Sequence, residues 1–572
     1  MRADDPNIPR IEIENLFEED PVGEKFFEWW LGTTFLETRK HFLAMGKAGM
    51  EAIPLAARAD RLSPVLRTHD AAGERINRVE YHPDYRELER LSYGSGIVAL
   101  KYEEAFLAKH RAHRQLVGFG AAYYFAQGEM GLFCPICMTD GVARVLELHA
   151  NSKVAKETIE HLTTRNMAEL WQGAMFLTER QGGSDVGANR VTAHQEHGRW
   201  FLNGDKWFCS NVDAEAVLVL ARLPAAPDGT RGLGLFLVLR KNPPKNEQTI
   251  VIHRLKDKLG VRSMPTGEVT FQGTEAHLVG GVGEGFKMMA DMLNTSRLYN
   301  AVASAAIMRR ATMEALAYGA QREAFGRVLW GLPLWRSTMA DVVAEQLGFF
   351  VLTFEAVRCV DRADGGDEDS KKLARLLVPM AKVIGGKLAV ATASECLEAV
   401  GGNAYIEESV FPRLLRDAQV LPVWEGTSSI LTLDCLRVIK KESAQTPFYG
   451  RAATALAAAA KVPALKDYAA KVESRIEKEE SYLVWLSGQT DENVQRGARQ
   501  WLESAGRSLT LALLLEAATH APLSAVCVAA FRRLLARPFA TLGAISLDGV
   551  ALADTESELL RAGYTPQASD GL

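Results

Sequence analysis

The segment Ala216-Val-Leu-Val-Leu-Ala-Arg-Leu223 interrupts a chain whose apolar residues otherwise recur largely at helical spacing. A short apolar run rich in β-branched residues is typical of a buried strand. Similar runs with turn residues between them occur on both sides, at residues 190–193, 200–202, 233–239, 249–253 and 267–272. The centre of the chain is therefore predicted to be a block of antiparallel strands.

Helical periodicity dominates the chain before and after this block. Helices that are segregated from strands, rather than alternating with them, indicate an α+β fold built from separate domains. The 572 residues also exceed the usual size of one domain. We therefore predict a helical domain over residues 1–170, a β domain over 171–280, a helical bundle over 281–440 and an added helical domain over 441–572.

Two segments break the helical pattern of the first domain. Residues 67–83 contain Gly, Asp and Asn and are predicted to form a connecting loop. Phe133-Cys-Pro-Ile-Cys-Met-Thr139 has a central proline and is interpreted either as a tight buried turn near a ligand or as core packing. No second ligand pair stands at zinc spacing from its C-x-x-C pair, so no metal site is predicted. Structural or ligand-lining cysteines are expected instead.

The composition is that of a soluble globular protein, with 47% hydrophobic and 24% charged residues. A net charge of -5 without long runs of one sign is unlike a protein that coats nucleic acid. No apolar run is expected to form an integral membrane segment. The acidic residues 1–20 lack the apolar core of a signal or transit peptide. These features together predict a cytoplasmic protein.

The strongest candidate for chemistry is Val423-Trp-Glu-Gly-Thr-Ser-Ser-Ile430. A carboxylate beside a bulky aromatic residue has its pKa raised by desolvation, toward the value that a general base needs near neutral pH. Gly426 permits a close approach of the backbone to a flat ligand. The same residues are also compatible with an ordinary helix N-terminus, so the segment alone leaves both interpretations open.

Two stretches of the β block have the composition of ligand loops. Residues 176–185 place Thr and Ser hydroxyls around a Gly pair, and residues 206–211 place aromatic residues beside Ser and Asn. Aromatic and small hydroxyl side chains suit a flat heteroaromatic ligand. An ordinary turn and an ordinary strand are the alternatives. The Gly pair is not part of a phosphate-binding P-loop, because no Gly-Lys-Ser/Thr follows it.

Four blocks, in this order, resemble the acyl-CoA dehydrogenase family of flavoproteins. They are Thr178-Glu-Arg-Gln-Gly-Gly-Ser-Asp185, Gly204-Asp-Lys-Trp-Phe-Cys-Ser-Asn211, Gln321-Arg-Glu-Ala-Phe-Gly326, and Val400-Gly-Gly-Asn-Ala-Tyr405 running on to Trp424-Glu-Gly-Thr427. The resemblance implies an N-terminal helical domain, a small β-barrel-like domain and a C-terminal four-helix bundle. FAD is expected between the last two domains.

The resemblance also implies a set of FAD contacts. The matching residues are Phe176, Thr178, Gly183, Ser184, Phe208, Ser210, Arg322, Phe325, Glu398, Gly401, Gly402, Thr427 and Ser429. Ser210 is expected to hydrogen-bond flavin N5. Arg322 and Phe325 are expected to reach the FAD of a neighbouring subunit, which implies a homodimer at least and favours a tetramer.

The same resemblance implies a substrate and a reaction. The residues expected to contact an acyl-CoA are Ser184, Asn294, Arg297, Trp424 and Gly426. Glu425 matches the family's catalytic base, which takes the α-proton of the thioester while the β-hydride passes to flavin N5. The expected electron acceptor is an electron-transfer flavoprotein.

Departures from the common family pattern point to one branch. Trp424 replaces the usual Tyr before the base, and Glu398 replaces a usual Gln. These features are similar to the alkylation-response (AidB-type) branch, which implies DNA binding and weak dehydrogenase activity as the alternative function. An oxidase of the same fold is disfavoured, because the sequence pattern of that group has Asp at the position of Glu425.

The C-terminal region does not favour nucleic acid as a partner. Residues 440–572 contain fifteen Lys and Arg against fifteen Asp and Glu. Arg532, Arg533 and Arg537 are a possible basic patch, but a solvated helix face is the preferred interpretation. We expect this region to pack between subunits and its last residues, 565–572, to be disordered.

Overall fold

The computed structural model describes residues 13–536, so Arg537 and the tail 565–572 lie outside the described part. This part forms eighteen α-helices and eleven β-strands. The helices are α1 (Pro21–Leu31), α2 (Phe35–Arg61), α3 (Pro83–Tyr93), α4 (Glu104–His110), α5 (Arg114–Ala126), α6 (Phe133–His149), α7 (Lys153–Leu162), α8 (Asn246–Thr249), α9 (Gly285–Gln321), α10 (Pro333–Asp364), α11 (Glu368–Val400), α12 (Gly402–Tyr405), α13 (Phe411–Ala418), α14 (Ser428–Glu442), α15 (Gln445–Ala460), α16 (Lys466–Ser487), α17 (Asp491–Ala518) and α18 (Ser524–Ala536).

The strands lie mainly in the middle of the chain, as predicted. They are β1 (Val65–His69), β2 (Arg75–Glu80), β3 (Gly173–Phe176), β4 (Thr192–Glu196), β5 (Arg199–Ser210), β6 (Ala216–Arg222), β7 (Leu233–Leu239), β8 (Ile250–Leu255), β9 (Thr266–Val279), β10 (Glu323–Ala324) and β11 (Arg327–Val328). The α+β fold class is confirmed.

The central sheet closes into a ring. β6 pairs with β4, β4 with β5, β5 with β9, β9 with β7, and β7 again with β6. β3 and β8 pair with β6 and β9 outside this ring. The prediction of antiparallel strands alone was wrong, because β3 and β4 run parallel to β6. The result is a small, barrel-like domain.

The strand β6 shows why its sequence is a continuous apolar run. Leu218 and Leu220 belong to the large core shared with the helices, whereas Val217 and Val219 belong to a second core inside the β domain. Successive strand residues point to opposite faces. A strand with protein on both faces therefore needs no polar residues, and β6 connects the two cores.

The predicted loop at residues 67–83 was wrong, because its first part forms the antiparallel hairpin β1–β2. The polar residues of this segment have structural roles. Asp70 Oδ1 accepts backbone N–H bonds from Ala72 and Glu74 at the turn, both at 2.9 Å. Asn77 Nδ2 donates to Ile250 O of β8 at 2.7 Å, which attaches the hairpin to the β domain.

The bundle consists of α9, α10, α11 and α14, with α11 packed against the other three. In the described part of the chain, α11 alone is long and apolar enough to cross a membrane, with a mean hydropathy of 1.5. Of that apolar window, 83% is buried inside the protein. This helix passes the criterion by length and composition only, and it is the central core helix of the bundle.

Helices α15, α17 and α18 pack on α10 and α11 of the same chain, and α16 packs on α15 and α17. A buried charge cluster attaches them. Glu355 of α10 accepts hydrogen bonds from Arg362 at 3.0 Å, from Arg358 at 2.9 Å and from Arg451 of α15 at 2.9 Å. Arg451 also pairs with Glu516 of α17 at 2.5 Å. Packing of this region between subunits stays a prediction.

Candidate active site

The candidate base lies on a tight turn between α13 and α14. Glu425 has a φ of 61° and Gly426 a φ of 101°, so two successive residues adopt the left-handed region. Glycine adopts this region freely, whereas a glutamate rarely does. Thr427 then forms the N-cap of α14. The helix N-terminus considered for this segment is thus present, directly beside the carboxylate.

The side chain of Glu425 lines a cavity with a largely apolar wall, which spans about 320 Å³ including its open mouth. The other lining residues are Met130, Phe133, Cys134, Cys137, Met138, Ser296, Tyr299, Asn300, Ala303, Leu421 and Trp424. Glu425 Oε2 is buried and has no hydrogen-bond partner within residues 13–536. The Ser296 hydroxyl is near enough to the carboxylate to lower its pKa. Oε2 is therefore free to accept a proton.

Burial raises the pKa of Glu425 to about 7. The charges of Arg297 and Lys382 and the Ser296 hydroxyl oppose this rise only in part. A carboxylate with a pKa near the operating pH is suited to general base catalysis, because it is ionised and still binds a proton well.

Arg297 was predicted to contact the acyl-CoA, but its contacts in the structure are to the protein. Its Nη1 pairs with Asp434 at 2.9 Å and donates to Asn294 Oδ1 at 3.3 Å. Its Nε donates to the backbone oxygen of Glu425 at 3.3 Å. Asn294 also accepts from Arg375 at 3.2 Å. The geometry therefore places Arg297 and Asn294 behind the catalytic turn.

The cavity wall opposite this turn comes from the first turns of α6. Residues 133–139 are helical, so the prediction of a tight turn was wrong. Pro135 fits there because the first N–H groups of a helix have no partner within it. Cys134 and Cys137 both line the cavity, and Cys137 Sγ lies 3.3 Å from Ser296 Oγ. The predicted ligand-lining position agrees with this placement.

The loop after β3 is held against the end of β5. Trp207 N donates to Thr178 O at 2.9 Å. Lys206 and Glu179 form a buried ion pair at 2.8 Å. A Cβ atom added to Gly183 would lie 2.4 Å from Thr178 Oγ1, so a larger residue there would displace the Thr178 side chain. Ser184 is exposed beside it. These contacts bring together the two segments predicted as ligand loops.

The side chains around this junction differ in exposure. Phe208 is 54% exposed, which is unusual for an aromatic residue at the end of a strand. Ser210 is half-buried, with Oγ 3.3 Å from Thr266 Oγ1, and it lowers the pKa of Cys134 of the cavity wall, against the rise that burial causes. Phe176 was predicted to bind the cofactor, but its side chain is buried against Phe271 in the β-domain core. Only its backbone is left for such a contact.

The remaining predicted cofactor residues lie elsewhere. Phe325, 91% exposed with a φ of 53°, is at the tip of the hairpin β10–β11, and Arg322 precedes this hairpin. Glu398, Gly401 and Gly402 are exposed at the end of α11, with open space beside both glycines.

The two groups of predicted cofactor residues are far apart within one chain. Lys382 of α11 contacts the turn that precedes Thr427 and Ser429, which are both exposed. Gly401 follows nineteen residues later, at the end of the same helix. At 1.5 Å per helical residue this is roughly 28 Å. The chain therefore does not bring all predicted FAD contacts to one place.

Sequence reasoning missed Ser296 and Lys382. Ser296 lies on α9 directly before Arg297, and Lys382 lies in the middle of α11. No local motif marks either residue. A lysine in an otherwise apolar helix segment was the one available signal for Lys382.

Comparison with known families matches the chain from residue 7 to residue 440. Residues 7–168 match the adaptive response protein AidB N-terminal domain, residues 174–274 the acyl-CoA dehydrogenase middle domain, and residues 283–440 the acyl-CoA dehydrogenase C-terminal domain. The fold and the site thus define an acyl-CoA dehydrogenase-type enzyme with an AidB-type N-terminal domain.

Individual relatives agree with these matches. Acyl-CoA dehydrogenase family member 11 of Caenorhabditis elegans is 32% identical over 74% of this chain and 71% of its own length. AidB of Escherichia coli (strain K12) is 35% identical over 69% of this chain and 72% of its own. The crystal structure of C. elegans ACDH-11 in complex with C11-CoA superposes with a TM-score of 0.91 at 29% identity, covering 99% of this chain and 98% of that one. The chain belongs to the acyl-CoA dehydrogenase family, and the resemblance seen in its sequence is confirmed.

Proposed function

We propose that the protein catalyses the α,β-dehydrogenation of an acyl-CoA thioester, with Glu425 as the base that removes the α-proton. The observation that carries this proposal is the state of the carboxylate. It lines an apolar cavity, its Oε2 has no partner in the described part of the chain, and its pKa is raised to about 7.

The turn also supplies a means of polarising the thioester. The α-proton of a thioester is weakly acidic, so the carbonyl must be stabilised as negative charge develops. Within residues 13–536, the backbone N–H of Glu425 donates no backbone hydrogen bond. This N–H is therefore available to the carbonyl oxygen of a thioester whose α-carbon faces the carboxylate.

The residues near the cavity fit FAD, on which members of this family depend. Phe208 presents an exposed aromatic face, and Thr178 and Ser210 present hydroxyls at the junction of the two ligand loops. We propose that these three residues hold the flavin. When bound, FAD supplies the acceptor for the β-hydride. The protein's own groups orient the thioester, exclude water and hold the α-proton on Glu425.

We further propose that a second copy of the chain completes the cofactor site. The exposed Gly401 and Gly402 lie roughly 28 Å along α11 from the catalytic turn, too far for the flavin-side residues of the same chain to share one site with them. Phe325 is 91% exposed at the tip of the β10–β11 hairpin, and an exposed aromatic residue of this kind is typical of an interface. A dimer or tetramer is the assembly proposed, and an electron-transfer flavoprotein is proposed as the acceptor.

The second candidate is an alkylation-response role with DNA binding, and the match of residues 7–168 to the AidB N-terminal domain favours it. The positions of the charged side chains on the C-terminal helices argue against DNA binding there. Arg533 pairs with Asp341 at 2.6 Å, and Arg532 donates to the Tyr468 hydroxyl at 2.7 Å. Side chains engaged in this way are poorly placed to neutralise phosphates.

An anaerobic titration of the FAD-loaded protein with acyl-CoA thioesters tests the proposal. C11-CoA is the first compound to use, because the ACDH-11 structure contains it. Loss of the flavin's visible absorption with C11-CoA or another chain length is the expected result. A protein that keeps its yellow colour with every thioester would contradict the proposal. Salt-dependent DNA binding by that protein would then support the second candidate.

A further inference from the structure

Two buried cations bind successive carbonyl oxygens of the catalytic turn. Arg297 Nε donates to Glu425 O at 3.3 Å, and Lys382 Nζ donates to Gly426 O at 2.5 Å. Arg297 is neutralised by Asp434. Lys382 is fully buried, and the described part of the chain places no carboxylate within 4.0 Å of its ammonium group. A buried ammonium with one carbonyl partner is costly and calls for a functional reason.

The turn that Lys382 binds is strained. Glu425 and Gly426 both have positive φ, and for glutamate this conformation is unfavourable. Such a conformation persists only where the surroundings fix it. A hydrogen bond to Gly426 O fixes the peptide unit directly after the left-handed pair. Without it, the turn is free to relax and to carry the Glu425 carboxylate away from the cavity.

Helix α11 is a rigid support for this contact. Gly386 lies one helical turn after Lys382, and a Cβ atom added there would lie 2.9 Å from the backbone N of Pro422. The helix backbone therefore touches the segment that leads into the catalytic turn. Because α11 is buried at the centre of the bundle, Lys382 reaches the turn from a fixed position.

We propose that Lys382 is a positioning residue for the catalytic base: it fixes the strained turn that carries Glu425 through its hydrogen bond to Gly426 O. This inference rests on the proposed function. The other charged groups that face this pair are Arg297 from α9 and Lys387 from α11. Consistent with the geometry, the charge of Lys382 lowers the pKa of Glu425, although less than that of Arg297. Burial lowers the pKa of Lys382 itself to about 7, so this charge is present mainly below that pH.

The variant Lys382→Met keeps most of the side-chain volume and removes the charge and the donor. We expect it to retain bound FAD at the wild-type stoichiometry and to lose about tenfold or more in kcat, with KM changed less than about threefold. The acid limb of the pH profile of kcat is expected to move to higher pH in this variant. Lys372→Met, an exposed position on the same helix, is the control and is expected to match the wild type.

A second readout does not depend on turnover. A water-soluble carbodiimide modifies protonated carboxyl groups, so the labelling of the Glu425 peptide against pH, followed by mass spectrometry, reports the ionisation of Glu425. The midpoint is expected to be higher in Lys382→Met than in the wild type. If Lys382→Met does not fold, Lys382→Gln, which keeps a donor but no charge, is expected to show the same direction of shift.

Unchanged kcat and an unchanged labelling midpoint in a folded variant at position 382 would overturn the inference. The labelling result also separates the two proposals. If no thioester reduces the flavin of the wild-type protein, the proposed reaction is wrong. A shifted labelling midpoint in the variant would still establish that Lys382 controls the ionisation of Glu425.

Discussion

Two glutamates, the buried Glu355 at the junction with the C-terminal helices and Glu425, whose Oε2 is buried in the cavity, have opposite properties. Burial by itself raises the pKa of both carboxyl groups. At Glu355 the charges of Arg358, Arg451 and Arg362 outweigh burial and lower the pKa to about 2. At Glu425 the two nearby cations bind the backbone carbonyls of the turn, and the pKa is raised to about 7.

The difference shows that partners, not residue type, decide what a buried carboxylate does. Glu355 accepts hydrogen bonds from arginines on two helices, so it stays ionised and holds the helices together. Glu425 has one oxygen without a partner in the described part of the chain, so it is left able to take a proton. The first arrangement serves stability and the second serves chemistry.

The largest expected effect is on turnover in Glu425→Gln. Removing a general base commonly lowers the rate by about 10²–10⁴-fold. We expect a loss of this size in flavin reduction by an acyl-CoA, with FAD still bound, measured anaerobically by stopped-flow absorption. Glu408→Gln, at an exposed position, is the control. Near-normal reduction in Glu425→Gln would remove the contrast between the two glutamates.

The next effect is on stability in Glu355→Gln. Removing one partner from a buried ion-pair cluster costs about 3–5 kcal/mol, because the arginines are left without their counter-charge. We expect the urea midpoint to fall, and flavin reduction below that midpoint to stay normal. In the wild type this contribution is complete above about pH 4.5 and is lost as the pH falls toward 2, since the folded-state pKa of Glu355 is lowered. A Glu355→Gln protein as stable as wild type would contradict this account.

A smaller effect with the opposite sign is expected for the stability of Glu425→Gln. A carboxyl group whose pKa is raised in the folded state makes folding less favourable as the pH rises from about 4.5 through 7. Replacing it by the neutral amide is therefore expected to stabilise the protein by about 1–3 kcal/mol at pH 8 and hardly at all at pH 5. Unfolding in urea at both pH values measures this, and equal changes at the two pH values would argue against a raised pKa.

The smallest effect is expected for Ser296→Ala. The Ser296 hydroxyl lowers the pKa of Glu425, so its loss is expected to move the acid limb of kcat upward by less than about one pH unit. Turnover at pH 8 is expected to fall only a few-fold, because Glu425 is still mostly ionised there. A pH–rate profile compares the variant with wild type, and a downward shift would contradict the assigned influence of Ser296 on Glu425.

Much of the fold follows from the sequence, because the sequence patterns that predict helices and strands are local. The apolar run of β6 and the helical periods around it have direct physical causes, and the structure shows them. The hairpin β1–β2 was missed because its Asp70 and Asn77 hold backbone groups, a use of polar residues that composition does not distinguish from a loop.

The candidate site was predictable only in part. Glu425 stands out by its neighbours in the chain, whereas Ser296 and Lys382 come from α9 and α11 and meet it only through tertiary packing. For the same reason, the engagement of Arg297 with Asp434 and with the turn was not visible in the sequence.

The most direct test of the central claim is hydrogen exchange at the α-carbon of a bound thioester. A 3-thia-acyl-CoA, in which sulfur replaces the β-carbon, cannot give up a β-hydride, so proton removal is observed alone. In deuterated water, wild type is expected to exchange the α-hydrogens, faster as the pH rises through about 7, and Glu425→Gln is expected to exchange them at least about 10²-fold more slowly. Equal exchange by the two proteins would show that another group is the base.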